Sequence, residues 1–290
     1  MYNHQLQLLS SHHKKIILSG LGFMGYGLLR ALQAIPGMDV VLLISRRPEE
    51  AVAILRGKGI AAQIVTRENE IDYSAKIVSV SSHLELISEA QADALVEVTG
   101  TVAYATETAL KALNSGKHLI SMNPELQVTV GHKLLEIAQK NGLVCTDVIG
   151  DQPGSLSRLI SHAQLMGFRI KVAGNMKRYM DHYATQEQML PWAQDKGLAV
   201  RQTVSFTDGT KQAIEMNLVS NYFNMKFLKE GMEGPQVEVV PDTIAYFKDK
   251  DIPESGVVDF ALGKTLFPGV FVIASHTDPE QQKYLRYLNM

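Results

Sequence analysis

A proton donor, a pair of opposite charges and several amides recur in the second half of this chain. Lys177 ends the run Gly174-Asn175-Met176-Lys177, which follows an apolar strand from Arg169 to Ala173. Gly174-Asn175 is read as a turn that aims the ammonium into a cleft, where burial would lower its pKa into a range useful for proton transfer. A surface lysine is the plainer alternative. Lys211 and Glu215 stand four apart on a predicted helix and so share a face. With Asp208 they suit a polar substrate or a divalent metal ion, although a solvated ion pair has the same pattern. Asp151 and Gln152 lie just past a strand end in Gly150-Asp151-Gln152-Pro153-Gly154, where ligand contact and ordinary turn chemistry are both served. The expected catalytic set is therefore Lys177, Lys211, Glu215 and Asp208, and the expected substrate contacts are Asp151, Gln152 and Asn175.

The stretch from Lys14 to Arg47 says what those groups would work beside. An apolar strand (Ile16, Ile17, Leu18) leads into Gly20-Leu21-Gly22-Phe23-Met24-Gly25, which opens a helical run from Tyr26 to Ile35. This is G-x-G-x-x-G in the strand-to-helix context that a dinucleotide site requires. Gly20 permits the tight turn, Gly22 lets the backbone approach a pyrophosphate, and Gly25 lets helix and strand pack closely. Phe23 and Met24 contribute the free N–H groups of the first helical turn, which favour an anion. A second strand, Val40 to Ile44, ends in Ser45-Arg46-Arg47, with no carboxylate until Glu49. An NAD site places an acid there, about 20 residues past the glycines, to hold the ribose hydroxyls. Two guanidiniums and a hydroxyl suit a 2′-phosphate instead, so NADP(H) is favoured over NAD(H). Solvated arginines after a strand are the alternative. A nicotinamide enzyme needs little more than one group that moves a proton on the substrate oxygen, with others that fix the substrate.

At 290 residues the chain is long enough for two domains with a substantial core. Its 46% hydrophobic and 20% charged content are those of an ordinary globular protein, and a net charge of −2 gives no electrostatic case for nucleic acid or a membrane surface. The single cysteine, Cys145, fits a reducing cytosol and reads as a buried, inert thiol. No H-E-x-x-H, C-x-x-C or G-x-S-x-G is present, which argues against a structural zinc and a serine hydrolase.

Taken in order, Met1 to His13 reads as a loose arm. Helices are predicted at Pro48 to Gly57, Glu68 to Lys76, His83 to Ala90, Ala103 to Asn114 and Val130 to Asn141. Strands are predicted at Ala62 to Val65, Ala94 to Val98, His118 to Met122 and Leu143 to Ile149. Strands alternating with helices imply an α/β fold, a Rossmann-type doubly wound parallel sheet. Ligands bind at the carboxyl ends of such strands, which brings Thr99, Gly100 and Asn123 to the cofactor. The pattern changes near Gly150, so residues 1–150 are read as an NADP-binding domain. Residues 151–290 are read as a mixed α+β substrate and dimerisation domain. There, helices are expected at Ser155 to Leu165, Thr185 to Asp195, Gln212 to Phe223 and Gln281 to Leu288. Val200 to Phe206 alternates like a strand, and Val257 to Leu262 and Val270 to Ser275 are strands that would pair antiparallel.

Five pieces carry a family resemblance: Gly20 to Gly25, Glu97-Val98-Thr99-Gly100, Gly150 to Gly154, Gly174 to Lys177, and Phe206-Thr207-Asp208-Gly209-Thr210-Lys211. Together they resemble the homoserine-dehydrogenase-like NAD(P)-dependent oxidoreductases that often carry a C-terminal SAF domain. That group includes the 1-deoxy-D-xylulose 5-phosphate reductoisomerase-like enzymes. The resemblance implies that the glycine loop holds the cofactor and the second half supplies substrate contacts and dimerisation. The sequence departs from homoserine dehydrogenases at Met122-Asn123-Pro124-Glu125, where an Asn-Lys pair is expected and the lysine is absent. It also stops at Met290, where relatives continue, as a truncated product or a short relative without the SAF-like tail would. The expectation is a cytoplasmic, homo-oligomeric NADP(H)-dependent oxidoreductase. Its substrate would be a small polar carbonyl or hydroxyl compound, phosphorylated in the reductoisomerase case. The alternative is a catalytically silent NADP-binding sensor or scaffold.

Overall fold

In a computed structural model, residues 2–287 are described and form two compact units, Met1–Val148 and Ile149–Met290. The first unit opens with α1 (Tyr2–Ser11), a helix where a loose arm was expected, and β1 (Lys14–Ser19). There follow α2 (Phe23–Gln33), β2 (Met38–Ile44), α3 (Pro48–Gly57), β3 (Ala62–Ile64), β4 (Val78–Ser81), α4 (Glu85–Glu89), β5 (Ala94–Glu97), α5 (Val102–Asn114), β6 (His118–Ser121), α6 (Pro124–Lys140) and β7 (Cys145–Asp147). The strands form one seven-stranded sheet in the order β3-β4-β2-β1-β5-β6-β7, and every pairing is parallel.

Helices cover both faces, so the strands are apolar on both sides. Ile17, Leu42 and Leu95 pack with Ala105, Ala109 and Leu113 of α5 and Leu134 of α6. Ile16, Leu18, Leu43 and Val96 face the other way, against Leu29 of α2 and Val52 and Leu55 of α3. Ser19 pairs in register with Ile44 on one side and Glu97 on the other, so β1, β2 and β5 end level. The strand order reverses between β1 and β5. A crevice outside the carboxyl ends at such a reversal is where open α/β sheets take ligands.

Two readings of the first unit are corrected. Glu68 to Lys76 is not a helix: after one 3₁₀ turn (Glu68–Glu70), the Asp72 carboxylate captures the N–H groups of Ser74 (3.0 Å) and Ile77 (2.8 Å). Such side-chain-to-backbone bonds compete directly with a helical ladder. The strand β4 was missed because Val78-Ser79-Val80-Ser81 is half serine. Both hydroxyls are buried but used, accepting from the N–H groups of Asp72 (2.9 Å) and His83 (3.1 Å).

The second unit contains α7 (Gln152–Leu165), β8 (Arg169–Lys177), α8 (Gln186–Lys196), α9 (Val200–Thr207), α10 (Thr210–Phe223), α11 (Asp242–Phe247), β9 (Val257–Leu262), β10 (Gly269–Ser275) and α12 (Pro279–Tyr287). β8 is the centre of a three-stranded sheet, parallel to β9 and antiparallel to β10, so β9 and β10 flank it rather than pair with each other. Gly174-Asn175-Met176-Lys177 is not a turn but the continuation of β8, with Asn175 opposite Phe260 and Lys177 opposite Leu262. Gly174 is needed for packing, since a Cβ there would lie 2.8 Å from the Phe271 ring. Val200 to Phe206 is the helix α9 rather than a strand. Its buried Thr203 and Thr207 are four apart, and their hydroxyls bond back to Ala199 and Thr203 carbonyls at 3.2 and 2.9 Å. Met1 and Leu288 to Met290 lie outside the described residues. Among the described residues no helix is long and apolar enough to cross a membrane.

Leu95 is fully buried in the middle of the first sheet. Leu95→Ala is expected to cost about 2–5 kcal/mol of stability, measured by urea denaturation, as for other leucine truncations in packed cores.

Candidate active site

Two polar assemblies stand out, one in each unit. In the first, the turn after β1 has the geometry its glycines predict. Gly20 has φ +104°, a left-handed conformation open to glycine, and its N–H donates to the Ile44 carbonyl at 2.9 Å. A Cβ on Gly25 would lie 2.3 Å from the Gly20 carbonyl oxygen, so α2 can approach β1 only with glycine there. Gly22 caps α2 without a side-chain cap, and a Cβ on it would meet nothing within 4 Å. The amides of the first turn, at Phe23 and Met24, thus sit beneath open space on exposed residues. A diphosphate fits that cradle: the free N–H groups and the helix dipole point at it, and no side chain blocks it.

The other walls come from β2 and β5. Past Ile44, the Ser45 Oγ accepts the Arg47 N–H (3.2 Å), and the Arg47 guanidinium pairs with Glu50 (2.7 Å) on its own helix. The Arg46 guanidinium lies 5.5 Å from the centre of the Tyr104 ring on α5. Glu97, at the end of β5, is fully buried. Its Oε1 accepts from both the N–H (2.7 Å) and the hydroxyl of Thr99, while Asn123 donates to the Thr99 carbonyl (3.0 Å) and caps α6 through the Leu126 N–H (3.0 Å). Gly100 follows Thr99 and is exposed. Burial pushes the Glu97 carboxyl up to about 6 against the pull of the Thr99 bonds. Its Oε2 and the buried Ser19, Thr101 and Tyr104 oxygens have no hydrogen-bond partner among the described residues.

In the second unit, β8 carries Asn175 and Lys177 on one face, because residues two apart in a strand point the same way. Asn175 is fully buried, and its amide nitrogen donates to Gln152 Oε1 (2.9 Å), Glu215 Oε2 (2.9 Å) and Gln212 Oε1 (3.4 Å). Lys211 Nζ lies 3.5 Å from Glu215 Oε1 and 4.0 Å from Asp151 Oδ1, ion-pair distances rather than well-formed hydrogen bonds. It also stands over the Phe206 ring at 5.3 Å. Burial raises the Glu215 carboxyl to about 7 despite the Lys211 and Lys177 charges. Burial also lowers the Lys177 ammonium, opposed by Glu215. Asp151 accepts the Gln152 N–H (3.1 Å) as the cap of α7.

The structure therefore brings together Lys177, Lys211, Glu215, Asp151, Gln152 and Asn175. It does not bring Asp208 into the group by any contact to those residues. The Asp208 carboxylate accepts the Thr210 N–H (2.8 Å), and the residue lines a cavity of about 240 Å³ with His182, Gln212, Met232 and Phe260. Asp208 and Glu215, one candidate pair for a divalent ion, make no contact with one another's partners: the Asp208 carboxylate is taken up by Thr210 and that of Glu215 by Asn175 and Lys211. Among the described residues no group of three or more His, Cys, Asp or Glu is placed to ligate an ion. Sequence reasoning missed Gln212 and Glu97. Gln212 stands three before Glu215 on α10, a helical spacing that could have flagged it. Glu97 was readable only as the end of a strand.

Both halves match known domain families. Residues 20–145 match the family model described as "Homoserine dehydrogenase, NAD binding domain", and residues 150–290 match "Oxidoreductase DRL, catalytic domain". In both halves the chain is similar to oxidoreductases of the homoserine-dehydrogenase-like kind. Among its relatives, homoserine dehydrogenase of Bacillus subtilis is 23% identical over 238 residues, covering 79% of this chain and 53% of the relative. That of Neisseria gonorrhoeae is 28% identical over 127 residues, covering 44% and 27%. The chain spans about half, or less, of the length of these relatives. A probable dehydrogenase from Thermotoga maritima has the same fold (TM-score 0.54, 14% identity, 91% of this chain and 73% of that one).

The two glycines separate folding from binding. Gly25→Ala is expected to lower stability by about 1–3 kcal/mol, since its methyl has no room. Gly22→Ala should melt like the native protein and bind dinucleotide at least about tenfold more weakly, because the methyl would occupy the space above the amides. Thermal denaturation and fluorescence titration with NADPH check the pair.

Proposed function

We propose that this protein is an NADP(H)-dependent oxidoreductase that reduces or oxidises a small polar carbonyl or hydroxyl compound bearing an anionic group. The observation that carries the reading is the fully buried Glu215 carboxylate set among three half-buried charges, Lys177, Lys211 and Asp151, on a domain of oxidoreductase type. Burying such charges is expensive unless they are put to use, and perturbed groups in one cluster are a mark of active sites. The family matches support a nicotinamide cofactor, and the Ser45-Arg46-Arg47 end of β2, without an acid, favours the 2′-phosphate form.

When bound, the cofactor would supply hydride transfer at carbon. The Gly20–Gly25 turn and the first amides of α2 would hold its diphosphate. Ser45, Arg46 and Arg47 would hold the adenosine phosphate, and Thr99, Gly100 and Asn123 would flank the rest. In the second unit, Lys177 delivers or removes the proton on the substrate oxygen, since burial lowers its pKa and makes the ammonium a better proton donor than an exposed lysine. Lys211, oriented by Glu215 and Asp151, binds the substrate's anionic group, while Asn175, Gln152 and Gln212 orient its polar groups. The missing lysine at Pro124 sets the substrate apart from homoserine in this reading.

Steady-state oxidation of NADPH across phosphosugars, keto acids and semialdehydes tests the activity. Lys177→Ala should abolish turnover and leave the NADPH dissociation constant within about twofold. Retained turnover would remove Lys177 as proton donor. The rate should follow a bell against pH. Activity falls below about 7 as Glu215 takes up a proton and releases Lys211, and again on the alkaline side, below the ordinary lysine range, as Lys177 loses its proton. Glu215→Gln should erase the acid limb.

A further inference from the structure

The end of β5 contains a device that the binding of a dinucleotide does not by itself require. Thr99 leans on the glycine turn: a Cβ on Gly20 would lie 3.0 Å from Thr99 Cγ2 and 3.4 Å from the Thr99 nitrogen. Val98, one residue before, is equally close to Gly25, 3.2 Å from the Cβ position. Val98 is tied to the first strand by its N–H to the Ser19 carbonyl (3.0 Å), and both donors of Thr99, its N–H and its hydroxyl, are held by one oxygen, Glu97 Oε1. Asn123 fastens the same residue from the other side through its carbonyl (3.0 Å). Glu97 is wholly buried, and its second oxygen has no hydrogen-bond partner among the described residues.

We propose that Glu97 is a positioning residue of the dinucleotide site: its ionised carboxylate clamps the Thr99 turn against the glycine turn, and neutralising it loosens both. The inference rests on the reading of the first unit as the cofactor domain. An ionised oxygen holds two donors more tightly than a neutral one, because charge-assisted hydrogen bonds are roughly twice as strong. A carboxylic acid in the same place must also find an acceptor for its own proton.

The surroundings set the pH range. Glu125, in the first turn of α6, adds a like charge. Tyr104 on α5 also faces Glu97 and is itself pushed up by burial, with Arg46 across its ring and Glu107 nearby. The Thr99 bonds, with the Asn123 amide close by, pull the other way. The net result is a carboxyl that titrates at about 6, well above the ordinary glutamate. The free protein carries the proton below that value, and the clamped turn needs it gone. Affinity is therefore fullest above this value and is lost as pH falls through it.

Calorimetric titration of the full chain with NADP+, between about pH 5.5 and pH 7.5, tests this against Glu97→Gln. The same ligand is used throughout, so titration of its own phosphate cancels between the two proteins. The native affinity is expected to fall about threefold more across this range than that of E97Q, which should bind more weakly at the upper end. Identical pH courses would overturn the proposal while leaving the cofactor reading intact. No binding of NADP+ or NAD+ by the native protein at any pH would overturn the cofactor reading first and this proposal with it. If E97Q does not fold, Thr99→Val decides. It removes one bond that holds the charge, so binding should weaken about threefold and the acid limb should move to higher pH. An unmoved limb would sink the clamp.

Discussion

A carboxylate taken out of water must have its charge answered from within the protein, as at Glu97, which ends a strand of the first unit, and at Glu215, on a helix facing a strand of the second. Glu97 is answered by the backbone and hydroxyl of its own turn, and Glu215 by an amide on β8 and an ammonium one helical turn away. In each, burial wins over the local donors, since both carboxyls end above the ordinary glutamate value. Desolvation of this kind costs several kcal/mol per ion, of order the whole stability margin of a domain. Such groups therefore mark where the fold was shaped for chemistry rather than for stability.

The supporting architecture follows from that demand. A buried charge needs rigid neighbours, because donors that drift would leave it unanswered. In the first unit the rigidity comes from three parallel strands ending level and from Gly20 and Gly25, packed too closely for a Cβ. In the second it comes from the middle strand of the sheet, hydrogen-bonded on both sides, which fixes Asn175 and Lys177 on the face that α7 and α10 cover.

How much of this was legible depended on the range of the interaction. The glycine turn was readable because its conformational demands are local: Gly20 needs a left-handed φ and Gly25 a missing Cβ. The alternation of strands and helices was readable for the same reason, except at β4, where two serines hide a buried strand whose hydroxyls are used by later turns. Val200 to Phe206 misled because β-branched residues suit a strand, while the helical spacing of Thr203 and Thr207 carries the real burial. Gly174-Asn175 misled because both are turn formers, whereas here the glycine makes room for Phe271 and the asparagine is a buried donor. The gathering of Asp151, Asn175, Lys211 and Glu215 depends on sheet order and helix docking. Asp151 and Asn175 could be named singly from their places in the chain, but only Lys211 and Glu215 could be read as neighbours, through a spacing of four.

The arginines after β2 raise the question of whether their present partners compete with a phosphate. Arg47 is exposed and holds Glu50 within its own helix, in water that screens both charges. Such pairs add little to stability and are cheaply exchanged. Arg46 rests on the face of Tyr104, a contact of cation–π type that needs no particular rotamer of its guanidinium hydrogens. A phosphate dianion offers what neither partner does, namely several acceptor oxygens matched to the planar fork of an arginine. A carboxylate-bearing strand end would instead repel it. With no acid at positions 45–47, nothing on this strand end opposes a phosphate, and the charge that is missing bears on the question as directly as the two arginines that are present.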